Sequence, residues 1–182
     1  MDDASPGSSS PMVANDGWIV VRELVCPRED EDSMDSADQA TQMTSLIQTL
    51  QEYLEIEHGG GQDDRKRAES LFAPEASLLT VGIAPPNRPP SYWSAPARKF
   101  LEIPLGTYLL GVESQAPHGV GSRKHDGIVK IDFSSGAAAA TVKVGNGAET
   151  MVFVDHLLLG RSKSTGSWTI LSKTFSPQPW ND

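Results

Sequence analysis

The spacing of the apolar residues changes once along this chain, and the change limits the folds that are available to it. From Met43 to Leu54 apolar residues recur at intervals of three and four, as on one face of an amphipathic helix. From residue 77 onward the dominant period is two, as in strands with one buried face. A helical face and an alternating sheet bury each other when they pack together. We therefore predict an α+β domain in which helices cover one face of an antiparallel sheet.

The first helix is predicted to begin at a capping box formed by Ser36 and Gln39 and to end at the glycines 59–61. A second helix is predicted over Asp63–Phe72, with Asp63 or Asp64 as its cap and Pro74 after its end. A helical turn is predicted within 94–101. Strands are predicted over 77–81, 105–113, 128–133, 137–144, 150–159 and 168–175.

Charge divides the chain at residue 38. The first 38 residues hold ten acidic and two basic side chains, whereas the whole chain carries a net charge of −9, so the remainder is nearly neutral. We predict an acidic, largely disordered tail over 1–37 and a folded domain over 38–180. The tail contains a short apolar island at 17–26, which either adds a strand to the domain or binds a partner as a linear motif.

The same composition excludes several classes of function. A nearly neutral domain lacks the clustered basic residues of a nucleic-acid-binding surface. Cys26 is the only cysteine, so neither an intrachain disulfide nor a cysteine-rich metal site can form. There is no apolar run long enough to span a membrane, and Met1-Asp2-Asp3 does not resemble a secretory signal. We predict a cytoplasmic protein that binds neither nucleic acid nor membrane and uses no metal or cofactor.

The segment Met151–Leu159 predicts a homodimer. Both alternating sets of its side chains are largely apolar, with Phe153 and Leu157 in one set and Val154 and Leu158 in the other. Such a strand needs cover on both faces. Because the helices can cover only one face, a second copy of the chain is the natural cover for the other.

Several segments resemble a known family. The strand Val154–Leu159 followed by Gly166-Ser167-Trp168-Thr169-Ile170-Leu171-Ser172-Lys173-Thr174-Phe175 resembles the end of the "putative lumazine-binding" subgroup of the nuclear transport factor 2-like superfamily. The segment Leu71–Leu78 and the hairpin formed by Ile128–Asp132 and Ala138–Val144 are similar to earlier parts of the same pattern. Ala73 stands where the family often has histidine, and His156 where it often has tyrosine. The resemblance covers about residues 39–176.

The resemblance implies a cone-shaped domain whose curved sheet carries the helices on its concave face, with a pocket between sheet and helices. Members of the superfamily include isomerases, dehydratases, cyclases and epoxide hydrolases, as well as proteins that only bind partners. Three functions therefore stay open: a small-molecule-binding domain, a cofactor-independent acid–base enzyme using the same pocket, and an interaction module acting through its dimer surface and tail.

Asp155 and His156 are the weak candidates for catalysis, since a carboxylate can orient an imidazole that acts as a general base. Adjacent residues of a regular strand point to opposite faces, so only one of the two can line a pocket. The run His58-Gly59-Gly60-Gly61 resembles an esterase oxyanion loop, but no Gly-x-Ser-x-Gly elbow accompanies it, and we interpret it as a helix end. His118, His125 and Asp126 are interpreted as a solvated loop, because their spacing is not that of a metal site.

Aromatic residues with a few polar groups are typical of small-molecule pockets. The ligand-binding candidates are Tyr53, Phe72, Tyr92, Trp93, Glu113, Asp155, Trp168 and Ser172.

Overall fold

The structure, a computed structural model, describes residues 23–25, 36–81, 100–115, 126–145 and 151–179. The helices are α1 (Ser36–His58), α2 (Gln62–Leu71) and α3 (Leu105–Ser114). The strands are β1 (Glu23–Val25), β2 (Phe72–Val81), β3 (Phe100–Ile103), β4 (Gly127–Ser134), β5 (Ala137–Gly145), β6 (Met151–Arg161) and β7 (Trp168–Pro179).

The strands form one curved, unclosed sheet in the order β1-β4-β5-β6-β7-β2-β3. The predicted α+β class is confirmed, but the sheet is mixed and not wholly antiparallel. β1 pairs with β4 and β2 pairs with β7 in parallel, while the meander from β4 to β7 is antiparallel as expected. The parallel pairing of β2 and β7 arises because the chain enters β2 from the helices and returns to it only after the meander.

One side of the sheet packs against α1, whose apolar stripe is completely buried at Leu46, Leu50 and Tyr53. The helix ends at His58, as the glycine run predicts. Gly61 precedes α2 with a φ of 89°, a conformation that favours glycine. The predicted side-chain cap of α2 is absent. Asp64 instead accepts a hydrogen bond from the backbone N–H of Gly60 at 2.7 Å.

The prediction of a strand over 105–113 is wrong, because this segment is helix α3. Leu105, Tyr108, Leu109 and Val112 have the i, i+3, i+4, i+7 spacing of a helix face, and the last two are buried in the core. The two glycines of the segment and the exposed Leu110 obscured that period. The prediction of a helical turn within 94–101 is also wrong for residues 100 and 101, which belong to strand β3, and the rest of that segment lies outside the described residues.

The prediction that α2 continues through Phe72 is wrong by one residue, since the chain passes directly into strand β2 there. Pro74 lies within β2, where the pairing with β7 is interrupted between Phe72 and Ser77. A proline is tolerated in this position because the interrupted ladder does not need its missing N–H. Of the apolar island at 17–26, residues 23–25 form the edge strand β1, and the others lie outside the described residues.

The glycines of α3 and of the α1–α2 turn provide a matched test of packing. A Cβ on Gly60 would lie 2.2 Å from the backbone oxygen of Gln115, whereas a Cβ on Gly111 would meet no atom within 4 Å. We expect Gly60→Ala to lower the free energy of unfolding by about 1–3 kcal/mol. Gly111→Ala should raise it by roughly 0.5–1 kcal/mol through helix propensity. Urea denaturation of both variants checks this, and equal effects would contradict the described contact.

Candidate functional site

A cluster of polar side chains lies in the apolar core between the helices and the sheet. Helix α1 contributes Tyr53 and Glu57, which lie four residues apart and therefore on the same face. Strands β6 and β7 contribute Asp155 and Lys173, which are diagonal neighbours, since Asp155 pairs with Phe175 and Lys173 with Leu157. Helix α3 contributes Tyr108. We call these five residues the polar cluster.

The members of the polar cluster are joined by short contacts. Lys173 Nζ lies 2.6 Å from Glu57 Oε1 and 3.2 Å from Asp155 Oδ2. The hydroxyl of Tyr53 donates to Asp155 Oδ2 at 2.5 Å, and the hydroxyl of Tyr108 donates to Glu57 Oε1 at 2.6 Å. Each carboxylate thus receives one ammonium contact and one phenol, which is the kind of compensation that a buried charge requires.

Aromatic rings surround the ammonium group. Lys173 Nζ lies 5.0 Å from the ring centroid of Tyr53, 4.9 Å from that of Tyr108 and 5.0 Å from that of Phe175. Ring faces attract cations at this distance, and more strongly when water is excluded. Phe72 extends the aromatic wall, since its ring centroid lies 5.2 Å from that of Tyr108 and 6.3 Å from that of Tyr53.

Burial and charge act in opposite directions on the ionisable groups. Burial lowers the pKa of Lys173, but the charges of the adjacent Asp155 and Glu57 raise it by more, so the pKa lies above its ordinary value. Burial raises the pKa of Glu57, yet the charge and hydrogen bonds of Lys173 and the phenol contacts outweigh it, and the pKa is lowered. For Asp155 burial prevails over the attraction of Lys173, with a contribution from the Glu57 charge, and the pKa is raised.

The two phenols remain protonated. Burial, followed by the charges of Asp155 and Glu57, raises the pKa of Tyr53 well above its ordinary value. Burial and the Glu57 charge do the same for Tyr108. Both hydroxyls therefore act as fixed hydrogen-bond donors toward the carboxylates.

One acceptor of the cluster is left over. Asp155 is 1% exposed, and its Oδ1 atom has no hydrogen-bond partner among the described residues. A buried acceptor without a partner costs about 1–3 kcal/mol. Because its other oxygen already receives Tyr53 and Lys173, Oδ1 is the deeply buried atom of the cluster that can accept a further donor.

The strand separates Asp155 from His156, as the sequence predicts. Asp155 points into the core, whereas His156 is exposed on the opposite face, where its Nδ1 lies 3.0 Å from Thr141 Oγ1. The two side chains therefore cannot act together on one bound molecule. The adjacent strand behaves in the same way, because Lys173 is buried while Ser172 pairs with the outward-facing Leu158.

The other predicted ligand-binding residues lie in several places. Glu113 forms an ion pair with Arg65 at the edge of α3, away from the polar cluster. Trp168 lies at the start of β7, where its Nε1 donates to the backbone oxygen of Gln42 at 3.2 Å. Tyr92, Trp93, His118 and His125 lie outside the described residues.

His58 and Asp126 form a second buried ionisable pair. His58 Nε2 lies 2.7 Å from Asp126 Oδ2, and Asp126 Oδ1 accepts the backbone N–H of Gly145. The pair ties the end of α1 to the ends of β4 and β5. Both residues thus have structural partners, which agrees with the interpretation of the adjacent glycine run as a helix end. The interpretation of Asp126 as part of a solvated loop is wrong, because its side chain is only 8% exposed and pairs with His58.

Sequence reasoning missed Glu57, Tyr108 and Lys173. Glu57 continues the apolar stripe of α1 one turn after Tyr53, and a charged residue at a buried position predicts a partner of opposite charge, so this signal was available for Glu57. Strict alternation places Lys173 on the face opposite Ile170 and favours Ser172 as the inward residue. The register shift in β7 turns Lys173 into the core instead, and spacing could not predict it. Tyr108 was placed in a strand, which gave its side chain the wrong direction.

No group of three or more His, Cys, Asp or Glu side chains within the described ranges is arranged to hold a metal ion. None of the helices in the described part of the chain is long and apolar enough to cross a membrane.

The chain has the fold of nuclear transport factor 2-like proteins. A protein of unknown function from Shewanella baltica OS155 superposes with a TM-score of 0.57 at 18% identity, covering 81% of this chain and 100% of its own. Another from Silicibacter pomeroyi DSS-3 gives 0.52 at 19% identity, covering 80% and 100%. A third, from Methylobacillus flagellatus KT, gives 0.51 at 18% identity, covering 80% and 96%. Likeness at this level of identity establishes the fold.

The chain belongs to the family described as "putative lumazine-binding", whose model matches residues 41–176. The match covers α1 from Thr41 onward, α2, α3, all strands from β2 to β6 and most of β7. No curated protein matches the chain.

The buried ion pairs of Lys173 predict how the stability of the protein depends on pH. Lys173→Met leaves Glu57 and Asp155 buried without a cation, and we expect it to lower the free energy of unfolding at neutral pH by about 3–5 kcal/mol. Without the cation both carboxyl pKa values rise above those of the unfolded chain, so the variant loses stability as pH rises. In the wild type Glu57 has the opposite effect, because its pKa is lower in the folded protein than in the unfolded chain. Its ionisation therefore stabilises the fold at pH values above the pKa of the unfolded chain.

The deficit of Lys173→Met should therefore shrink as pH falls toward about 4, near the unfolded carboxyl values. Guanidinium denaturation across this range measures it. The triple variant Lys173→Met, Glu57→Gln, Asp155→Asn is the control, and it should recover part of the loss at neutral pH. A deficit that does not change with pH would contradict the described ion pairs.

Proposed function

We propose that this domain binds a small molecule at the polar cluster between the sheet and helices α1 and α3. The observation that carries the proposal is the buried Asp155 Oδ1, an acceptor without a partner among the described residues. Membership of the "putative lumazine-binding" family supports it. A few convergent polar groups among aromatic side chains are also the usual composition of a small-molecule site.

The polar cluster is less buried at one end than at the other. The Glu57 side chain retains 17% of its exposure, and Tyr108 and Phe153 are only partly buried. Asp155 and Lys173 lie deeper, at 1% and 3%. A ligand that enters beside Glu57 and Tyr108 would meet Asp155 at the deep end, where its hydrogen bonds are shielded from water and therefore strong.

Lumazine is the probe for this proposal. We expect titration with lumazine to shift the backbone amide resonances of Tyr53, Glu57, Tyr108, Asp155 and Lys173, while those of Lys130 and Asp132 on strand β4, outside the cluster, stay nearly constant. Two-dimensional NMR of the labelled protein measures both sets. Saturating lumazine without any shift in the first set would count against a site for this ligand class.

An acid–base enzyme is the second candidate. The raised pKa of Asp155, caused first by burial, is a property that general acids and bases share. A base at this position would remove a proton from a carbon next to a carbonyl group and return one from solvent. Incubation of simple ketones with the protein in deuterated water would reveal this as isotope uptake in mass spectrometry. Uptake that Asp155→Asn does not reduce would exclude Asp155 as the base.

We also propose a homodimer formed through the outer face of β6 and β7. Leu158 and Leu171 are 47% and 41% exposed there, and a Cβ on Gly160 would lie 3.0 Å from the Leu171 side chain, so both leucines belong to one surface. Exposed apolar side chains grouped on a sheet face favour association. A second copy, related by a twofold axis, would present the same surface.

The leucines give a matched test of the dimer. We expect the wild type to sediment as a dimer at micromolar concentration and Leu158→Glu to sediment as a monomer, because the carboxylate would be buried in the interface. Leu110→Glu on helix α3 is the control, since Leu110 is 56% exposed away from this face. A monomeric wild type, or dissociation by both substitutions alike, would contradict the proposed interface.

A further inference from the structure

The hydrogen-bond donors of the polar cluster are directed at carboxylate oxygens. The Tyr53 hydroxyl donates to Asp155, the Tyr108 hydroxyl donates to Glu57, and the Lys173 ammonium contacts both carboxylates. Both hydroxyl groups and two of the three ammonium N–H groups are thus engaged, so most donors of the cluster already have carboxylate partners.

The remaining capacity of the cluster is an acceptor. Asp155 Oδ1 is buried and has no partner within the described part of the chain, although the same side chain is held in place through Oδ2 by two donors. A fixed acceptor in a water-poor site is left at a large energetic disadvantage unless a donor reaches it. The complementary group on a ligand is an N–H or O–H.

The charge of the cluster also disfavours an anionic ligand. One ammonium group, that of Lys173, faces two carboxyl groups, those of Asp155 and Glu57. An anionic ligand would add a third negative group at short range in a poorly screened site. The rings of Tyr53, Tyr108 and Phe72 pack beside these groups and make the surroundings of the cluster aromatic.

We infer that the site selects a flat heteroaromatic compound, uncharged or cationic, that donates an N–H to Asp155 Oδ1, and that it rejects anions of the same shape. This inference rests on the proposed small-molecule site and specifies its ligand class. Asp155 Oδ1 is the specificity-determining atom, while Tyr53 and Lys173 are positioning groups that hold the carboxylate.

A set of three pteridines tests the inference on the wild-type protein. Lumazine carries N–H donors, 1,3-dimethyllumazine has the same ring system without them, and lumazine-6-carboxylate adds an anion. At neutral pH we expect 1,3-dimethyllumazine to bind roughly ten- to a hundredfold more weakly than lumazine, the loss expected for a hydrogen bond to a charged group. Lumazine-6-carboxylate should also bind more weakly. Fluorescence titration or calorimetry measures all three.

Asp155→Asn converts the comparison into a double-mutant cycle. An amide no longer provides a charged acceptor, so we expect the penalty for methylating lumazine to shrink to a few-fold or less in this variant. Asp132→Asn is the matched control, because Asp132 pairs with Lys130 on strand β4 outside the cluster, and it should keep the full penalty.

The possible failures can be told apart. If lumazine and 1,3-dimethyllumazine bind equally well at the polar cluster, the proposed function stands and the inferred ligand class is wrong. Tighter binding of lumazine-6-carboxylate than of lumazine would also overturn the ligand class alone. If none of the three shifts the amide resonances of the cluster, both are wrong. A crystal structure of the lumazine complex in which only water contacts Asp155 Oδ1 would likewise overturn the inference.

Discussion

The contact between Lys173 and the two carboxylates of Glu57 and Asp155 is the interaction on which the interior of this domain depends. It joins helix α1 to strands β6 and β7 at a depth where an isolated charge would be very unfavourable. Tyr53 and Tyr108 extend the connection, the latter to helix α3. Such a cluster adds little net stability compared with an apolar core, but it allows few alternative arrangements of the helices on the sheet.

The same interaction gives the interior its chemical character. Because most donors of the cluster contact carboxylates, its deep end presents an acceptor, and aromatic rings lie beside it. In the proposed site this acceptor takes a hydrogen bond from an N–H or O–H of the ligand. The description of the family to which the chain belongs and the unpartnered acceptor in its core both support the proposed small-molecule site.

The outer face of the sheet has a different role. Residues next to Asp155 and Lys173 along their strands, His156 and Ser172, point away from the core because side chains alternate. The outer face also carries the exposed Leu158 and Leu171. One pair of strands therefore supplies the proposed ligand site on one side and the proposed dimer surface on the other, which makes substitutions in adjacent positions separable in their effects.

The sequence by itself determined the α+β class, the extent of α1, the meander from β4 to β7 and the division of Asp155 from His156, since all of these follow from local spacing. It did not determine the direction of β2, the helical state of 105–114 or the membership of the polar cluster. Those depend on which distant segments meet: Glu57, Tyr108 and Lys173 lie far apart in the chain and become one site only when helices and sheet pack. The spacing of residues along a helix or strand indicates which face a side chain occupies, whereas the tertiary structure determines which side chains it contacts.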